Sequence, residues 1–338
     1  MSTLWKKWTA TVPAPFLTAL LLAAGFMGFV AWDQSHWWST KEDYGFGWLV
    51  PAFVGFVVYD RWPRIVAALR ACEMPGSPRA SRSAGGLLAT LVYGALTGGA
   101  LLFLVGALYR AGAGSSYPGT LAISLGTGTL LLPLLLLNAP ETSAASASSV
   151  LGDARVKLIG LFVFPALVWL VSAPMVSVVE GNLSLFMLNR VTSVVFFVFD
   201  TLGLEIEQHG NVLWLKEVMP GHPNQVGVAD ACSGIRSFTA CLFAGSFLAA
   251  VFLDKLWKKI ALVSSAIVFA FIMNLARGLF LTSWAYAYGN EAMEGRVHDI
   301  AGYSVLGLTV VGLLSLLPLF SLEFVHDEDD GGDKDEET

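Results

Sequence analysis

The chain has 338 residues, of which 55% are hydrophobic and only 14% charged, and its mean hydropathy is +0.64. Soluble domains carry about 25% charged residues, so a soluble globular protein is excluded, as are a disordered chain and a collagen-like repeat. Much of the net charge of −6 sits in one tail, and no basic stripe suits nucleic acid. What remains is an all-α polytopic membrane protein.

A spanning helix needs roughly 20 apolar residues. Eight segments are expected to span: Pro13–Ala31, Gly45–Tyr59, Gly85–Leu108, Gly119–Leu137, Leu158–Pro174, Ile235–Leu253, Ile260–Tyr288 and Ile300–Phe320. The second is short, and the seventh is long enough to tilt or to leave the lipid. Lys6 and Lys7 precede the first, but its apolar run outlasts a signal-peptide core and reads as a retained span. The Ala/Ser-rich stretch Asn138–Val150 reads as a flexible linker.

Basic residues set the expected orientation. With the N-terminus inside, the cytoplasmic side holds Lys6, Lys7, Arg61, Arg64, Arg70, Arg79, Arg82, Arg155, Lys157, Lys255, Lys258 and Lys259. The short outer loops hold only Lys41, Arg110 and Arg296. Both termini are therefore expected to be cytoplasmic. Trp37, Trp38, Trp284, Tyr286 and Tyr288 fit an outer aromatic belt.

One outer segment is long. Leu183–Leu202 reads as an amphipathic helix in the interface. LEIEQHGNVLWL at 204–215 reads as a small hairpin around His209-Gly210-Asn211. A polar linker, Pro220–Gln225, follows. The expected organisation is a five-helix membrane region (1–174), an outer cap with a short β-hairpin (175–231), a three-helix catalytic membrane region (232–324) and an acidic tail (325–338).

Three motifs fall on the outer side. In ADACSGIRS at 229–237, Cys232 precedes a helix N-terminus, whose positive end favours a thiolate. Arg236 adds positive potential one turn deeper. In NLARG at 274–278, Arg277 lies roughly 16 Å below the helix end at Tyr288. A buried arginine is costly enough to mark function, and Asn274 shares nearly its face. In RVHDIAGY at 296–303, His298 opens the last span and titrates near neutrality. His36, His209, His222 and His326 have no comparable surroundings.

Cys241, inside an apolar run, and Cys72 read as small buried hydrophobes. Three cysteines do not make a disulfide framework. A thiol nucleophile needs a base or a positive neighbour, and its tetrahedral intermediate needs an oxyanion partner. Cys232, His298 and Arg277 supply those parts, with Arg236 and Asn274 as candidate substrate contacts. No further ligands accompany Cys232 and His298, so neither a metal nor a cofactor is expected.

ACSGIRS at 231–237, NLARG at 274–278 and VHDIAGY at 297–303, with DYGFGWLVP at 43–51 and GLEIEQHGNVLWL at 203–215, resemble the exosortase/archaeosortase family of membrane transpeptidases. The resemblance is strongest from Gly203 to Tyr303. Tyr44-Gly45-Phe46 stands where that family often has a histidine, and the acidic tail is unusual for it. The resemblance implies a multi-pass protein of the prokaryotic cytoplasmic (inner) membrane, with its site on the outer, periplasmic face. It also implies catalytic roles for Cys232, Arg277 and His298. The implied partners are exported proteins whose C-terminal sorting signal carries a short motif, a hydrophobic helix and a basic end, packed in membrane lipid. A purely hydrolytic cysteine protease and a non-enzymatic transporter or scaffold are the alternatives.

Overall fold

Backbone N–H and C=O groups find no partners in hydrocarbon, so the apolar segments close their hydrogen bonds within helices. The structure, a computed structural model, describes residues 12–141, 145–147, 149–215, 225–227, 234–289, 292 and 295–321. Cys232, Lys6, Lys7, the acidic tail and most of the 220–225 linker lie outside the described residues.

The helices are α1 (Ala14–Thr40), α2 (Val50–Glu73), α3 (Arg82–Ala113), α4 (Tyr117–Leu137), α5 (Ala154–Gly160), α6 (Val163–Leu167), α7 (Trp169–Ser172), α8 (Ser177–Thr201), α9 (Ile235–Phe252), α10 (Leu256–Tyr288) and α11 (Arg296–Ser321). Seven are long and apolar enough to cross a membrane, and the pair formed by α5 with α6–α7, bent by 54°, adds an eighth candidate. The chain is a multi-pass membrane protein.

Two ends of the bundle are distinguished by their packing. At one end Phe16, Ile65, Leu69, Leu136 and Leu158 form a cluster, and Leu253, Leu262 and Leu313 form another. Arg61, Arg64, Arg155, Lys258 and Lys259 belong to this basic end. At the opposite end Trp38, Tyr44, Val50 and Trp169 pack together. Val12, the first described residue, and Phe320, next to the last, both lie at the basic end.

The second span differs from its expected limits. Residues Glu42–Leu49 form a 3-10 helix, and α2 begins at Val50 with Pro51 in its first turn. Pro favours that position because its missing N–H is an orphan there. The helix then runs past Tyr59 through Asp60, Arg61 and Arg64, a charged stretch that hid its length from hydropathy.

Arg61 shows why those charges are tolerated. Its guanidinium is 7% exposed. It donates to the Leu161 carbonyl at 2.7 Å and to the Ala250 carbonyl at 2.7 Å. The first carbonyl is freed by the bend after α5, the second by the end of α9, where the last carbonyls have no intrahelical partner. Arg61→Leu should therefore orphan two acceptors, at about 1–3 kcal/mol each. Thermal unfolding in detergent should show that loss, and Arg61→Lys should recover only part of it, since an ammonium lacks the fork that spans both groups.

The helix expected at Leu183–Leu202 is α8, and its apolar composition would suffice for crossing. Its contacts place both its ends at the end opposite the basic one. Glu180 shares a cleft with Asp43, Tyr117 and Ile235, while the Phe199 ring lies 6.2 Å from Tyr286 near the end of α10. Between them Leu188, Val191 and Val195 cluster with Leu281, Ala285 and Ala301. Among the described residues, packing therefore traces eight passes, α1 to α4, the bent α5–α7, and α9 to α11: α2, which is not among the seven by composition, joins its two ends to the opposite clusters in the place of α8.

After α8 come β3 (Ile206–His209), β4 (Val212–Leu215) and β5 (Gln225–Gly227), an antiparallel sheet in which Ile206 pairs with Leu215 and Leu213 with Val226. The expected hairpin is present, extended by a third strand. The Ala/Ser-rich loop is not wholly a linker: β2 (Ala145–Ala147) pairs in parallel with β1 (Pro78–Ala80). Asp153, at the N-cap of α5, fastens the same corner through Arg155. Burial pushes the Asp153 carboxyl up, but its hydrogen bonds from Arg155 and Ala80 outweigh that and hold it below the usual range.

Candidate functional site

The opposite end of the bundle gathers α9, α10 and α11. Gly234 stands at the N-cap of α9 with φ +70°, a conformation that glycine adopts without strain. A Cβ there would lie 2.6 Å from Met187 Cε and 2.7 Å from Asn274 Nδ2. The chain thus enters α9 pressed against α8 and α10, with no side chain able to fit between. Gly234 supplies no side-chain cap, so the positive end of α9 faces the direction from which the chain arrives.

Asn274 is fully buried and Arg277 is 8% exposed. Three residues apart on α10, they share a face, and Arg277 is about 4.5 Å nearer the helix end. Arg277 Nη2 lies 2.8 Å from His298 Nε2. A guanidinium only donates, so in this contact Nε2 accepts, which leaves Nδ1 as the ring's other nitrogen. That Nδ1 lies 3.6 Å from Asp299 Oδ1, too long for a hydrogen bond. Gly302, one turn along α11, leaves room beside the guanidinium.

Arg236 does not join this pair. Its Nη1 donates to Glu42 Oε2 at 2.9 Å, and its guanidinium lies 5.6 Å from the Tyr303 ring centroid. It bridges the 3-10 helix and α11 across the start of α9. Thr239 Oγ1 adds a second tie, to the Asp43 carbonyl at 3.1 Å. The 3-10 helix is itself wedged in place: a Cβ on Gly47 would lie 2.1 Å from Trp38 Nε1, and Tyr44 Oη accepts from the Met175 N–H at 3.0 Å. Burial holds the Asp43 carboxyl above the usual carboxylate range, with Arg236 opposing it. Asp43 and Glu180 line a cleft of about 290 Å³.

Cys241 is buried, hydrogen-bonded to Thr309, and Cys72 is buried at the far end. Among the described residues, no group of three His, Cys, Asp or Glu could hold a metal ion.

A family model described as transmembrane exosortase (Exosortase_EpsH) matches residues 37–315. The chain belongs to the transmembrane exosortase family. Neither a curated protein nor a solved structure matches it. The exosortase match covers the last turn of α1, all of α2 to α10, and α11 as far as Ser315. It includes the 3-10 helix, Cys232, Asn274, Arg277 and His298.

Sequence reasoning missed much of the polar packing that supports this exosortase framework. Asp33, wholly buried in α1, forms an ion pair with Arg110 at 3.0 Å. Gln34 Nε2 donates to Ser124 Oγ at 2.7 Å and to the Trp169 carbonyl at 3.0 Å, while Ser172 donates to Gln34 Oε1. The signal was available: Asp33 and Gln34 directly follow an apolar run that helix periodicity carries past Ala31. The Glu42–Arg236 pair left no such trace, its members being 194 residues apart.

Proposed function

We propose that this chain is a cysteine transpeptidase that cleaves C-terminal sorting signals of exported, membrane-anchored proteins. The observation that carries the reading is the Arg277–His298 contact of 2.8 Å, beside the point where the Cys232-bearing chain enters α9. Cys232 is two residues before Gly234, and two residues of chain reach at most about 7 Å. That short reach supports a thiol working beside this pair.

In the proposed reaction the Cys232 thiolate, favoured by the N-terminus of α9, attacks the scissile carbonyl. The Sγ–C bond forms, and the carbonyl oxygen becomes an oxyanion. His298 takes the thiol proton on Nε2, ending the hydrogen bond from Arg277, and delivers it to the leaving amine as the C–N bond breaks. Arg277, with five N–H donors in a rigid fork, is thereby freed to hold the oxyanion. An acceptor amine then attacks the thioester and restores the thiol. Asn274, packed on Gly234, holds the entry of α9, and Arg236 fixes the 3-10 helix beside the substrate path.

The charge asymmetry supports an orientation with the basic end in the cytoplasm. The candidate site and the β3–β5 cap then face outward, where exported substrates emerge.

The test is a trapped intermediate. Incubation of the purified chain with a sorting-signal substrate, followed by acid quench, should add the acyl mass to the peptide bearing Cys232, and hydroxylamine should release it. An adduct elsewhere, or turnover with none, would reject the mechanism. Product carrying an added amine marks transfer, and a free carboxylate marks hydrolysis.

A further inference from the structure

A second groove lies far from this site. It runs between the bent α5–α7 segment, α9 and α10, at the basic end, and encloses about 520 Å³. That is within the roughly 300–1,000 Å³ of small-molecule sites. Lys259, at its mouth, precedes Arg277 by 18 residues of continuous helix, about 27 Å.

The bend creates the groove. By turning 54° away, the segment opens a wedge walled by Val163, Leu167, Ala249 and Val263. Gly160 also lines it, and a Cβ there would meet nothing within 4 Å. Val163 and Leu167 are 41% and 39% exposed, so the wedge opens sideways, toward the acyl region of the bilayer. Two cations, Arg61 and Lys259, stand at the mouth. Arg61 gives two of its five donors to neutral carbonyls and keeps its charge. Among the described residues neither cation has a carboxylate within 4 Å, whereas the neighbouring Asp254 is held by Arg64 at 3.5 Å. Lys255 and Lys258 add to the positive potential. An apolar wedge open to lipid, with two cations at interfacial depth that form no ion pair within 4 Å among the described residues, matches one chemistry: an anion on an acyl chain.

We propose that this groove binds an anionic glycerophospholipid, with an acyl chain along Val163 and Val263 and the phosphate at Lys259 and Arg61. The lipid fills the wedge and neutralises the mouth, bracing the bend. The assignment is independent of the transpeptidase reading.

The experiment uses the full chain, delipidated in a zwitterionic detergent, with lipid retention read by native mass spectrometry and stability by thermal unfolding. Phosphatidylglycerol should be retained in preference to phosphatidylcholine of the same chains, and should raise Tm. Lys259→Gln should cut phosphatidylglycerol retention about fivefold, the worth of one interfacial cation, and leave phosphatidylcholine unchanged. Gly160→Phe should occupy the wedge and reduce retention of both. If that variant does not fold, Lys259→Gln decides. Equal retention of the two lipids would overturn the proposal, as would unaltered retention by Lys259→Gln. A full Tm rise with inorganic phosphate alone would make the mouth a phosphate site and overturn the lipid assignment.

Discussion

Cys232→Ala is expected to abolish processing of a sorting-signal substrate, by at least about 10⁴-fold, because removing a covalent nucleophile leaves only binding and oxyanion stabilisation. The helical content and Tm of the variant should match wild type. The controls sharpen this result. Cys241 is buried against Thr309 and Cys72 is buried at the basic end, so Cys241→Ala and Cys72→Ala should stay active. They should lose only about 1–2 kcal/mol of packing stability. Immunoblotting of substrate conversion in cells, with thermal unfolding of each purified variant, gives both readouts. Residual processing by Cys232→Ala near the wild-type rate would end the thiol mechanism.

The second large effect is expected at the Arg277–His298 pair, where the two partners should fail differently. Arg277→Lys keeps a charge but loses the planar fork that holds first the ring nitrogen and then the oxyanion. A loss of about 10²–10³-fold is expected, the usual cost of an oxyanion donor. His298→Gln keeps an acceptor for Arg277, so the α10–α11 contact at 2.8 Å can persist. It cannot carry a proton near neutrality, so turnover should fall about 10²–10⁴-fold. The discriminating readout is substrate co-purification. His298→Gln should retain bound substrate while failing to process it. Normal processing by His298→Gln would remove the histidine from the chemistry, and wild-type activity of Arg277→Lys would reduce Arg277 to a replaceable charge.

The Arg277–His298 meeting was legible in the sequence for a physical reason. An arginine deep in a span needs a partner, and a histidine opening the next span from the same side is within reach of one. The hairpin at 204–215 was legible because alternating apolar residues flank a Gly-Asn turn. The placement of α8 was harder to read. Its composition fits a crossing helix equally well, and only the packing of its two ends, on Asp43 and on Tyr286, distinguishes lying from crossing. The role of Arg61 was hidden for a different reason. Its partners are backbone carbonyls 100 and 189 residues away, and a carbonyl carries no side-chain signature. Asp33 was lost to a span boundary drawn at Ala31, although helix α1 continues to Thr40.

Those two carbonyl partners also constrain how the protein is made. Synthesis runs from the N-terminus, so the α2 guanidinium enters the bilayer before either acceptor exists. Leu161 follows three passes later, in the fifth, and Ala250 only when the sixth pass is nearly complete. Until then Arg61 lacks both of the carbonyls that later take its donors. The first half of the chain therefore cannot reach its final packing during its own insertion. It must wait beside the insertion machinery, or with Arg61 drawn toward the headgroups, until α9 arrives. A chain truncated before α9 should accordingly be a degradation substrate and not a stable five-pass fragment. Assembly of the bundle is thus ordered by a single side chain near its beginning, completed from near its end.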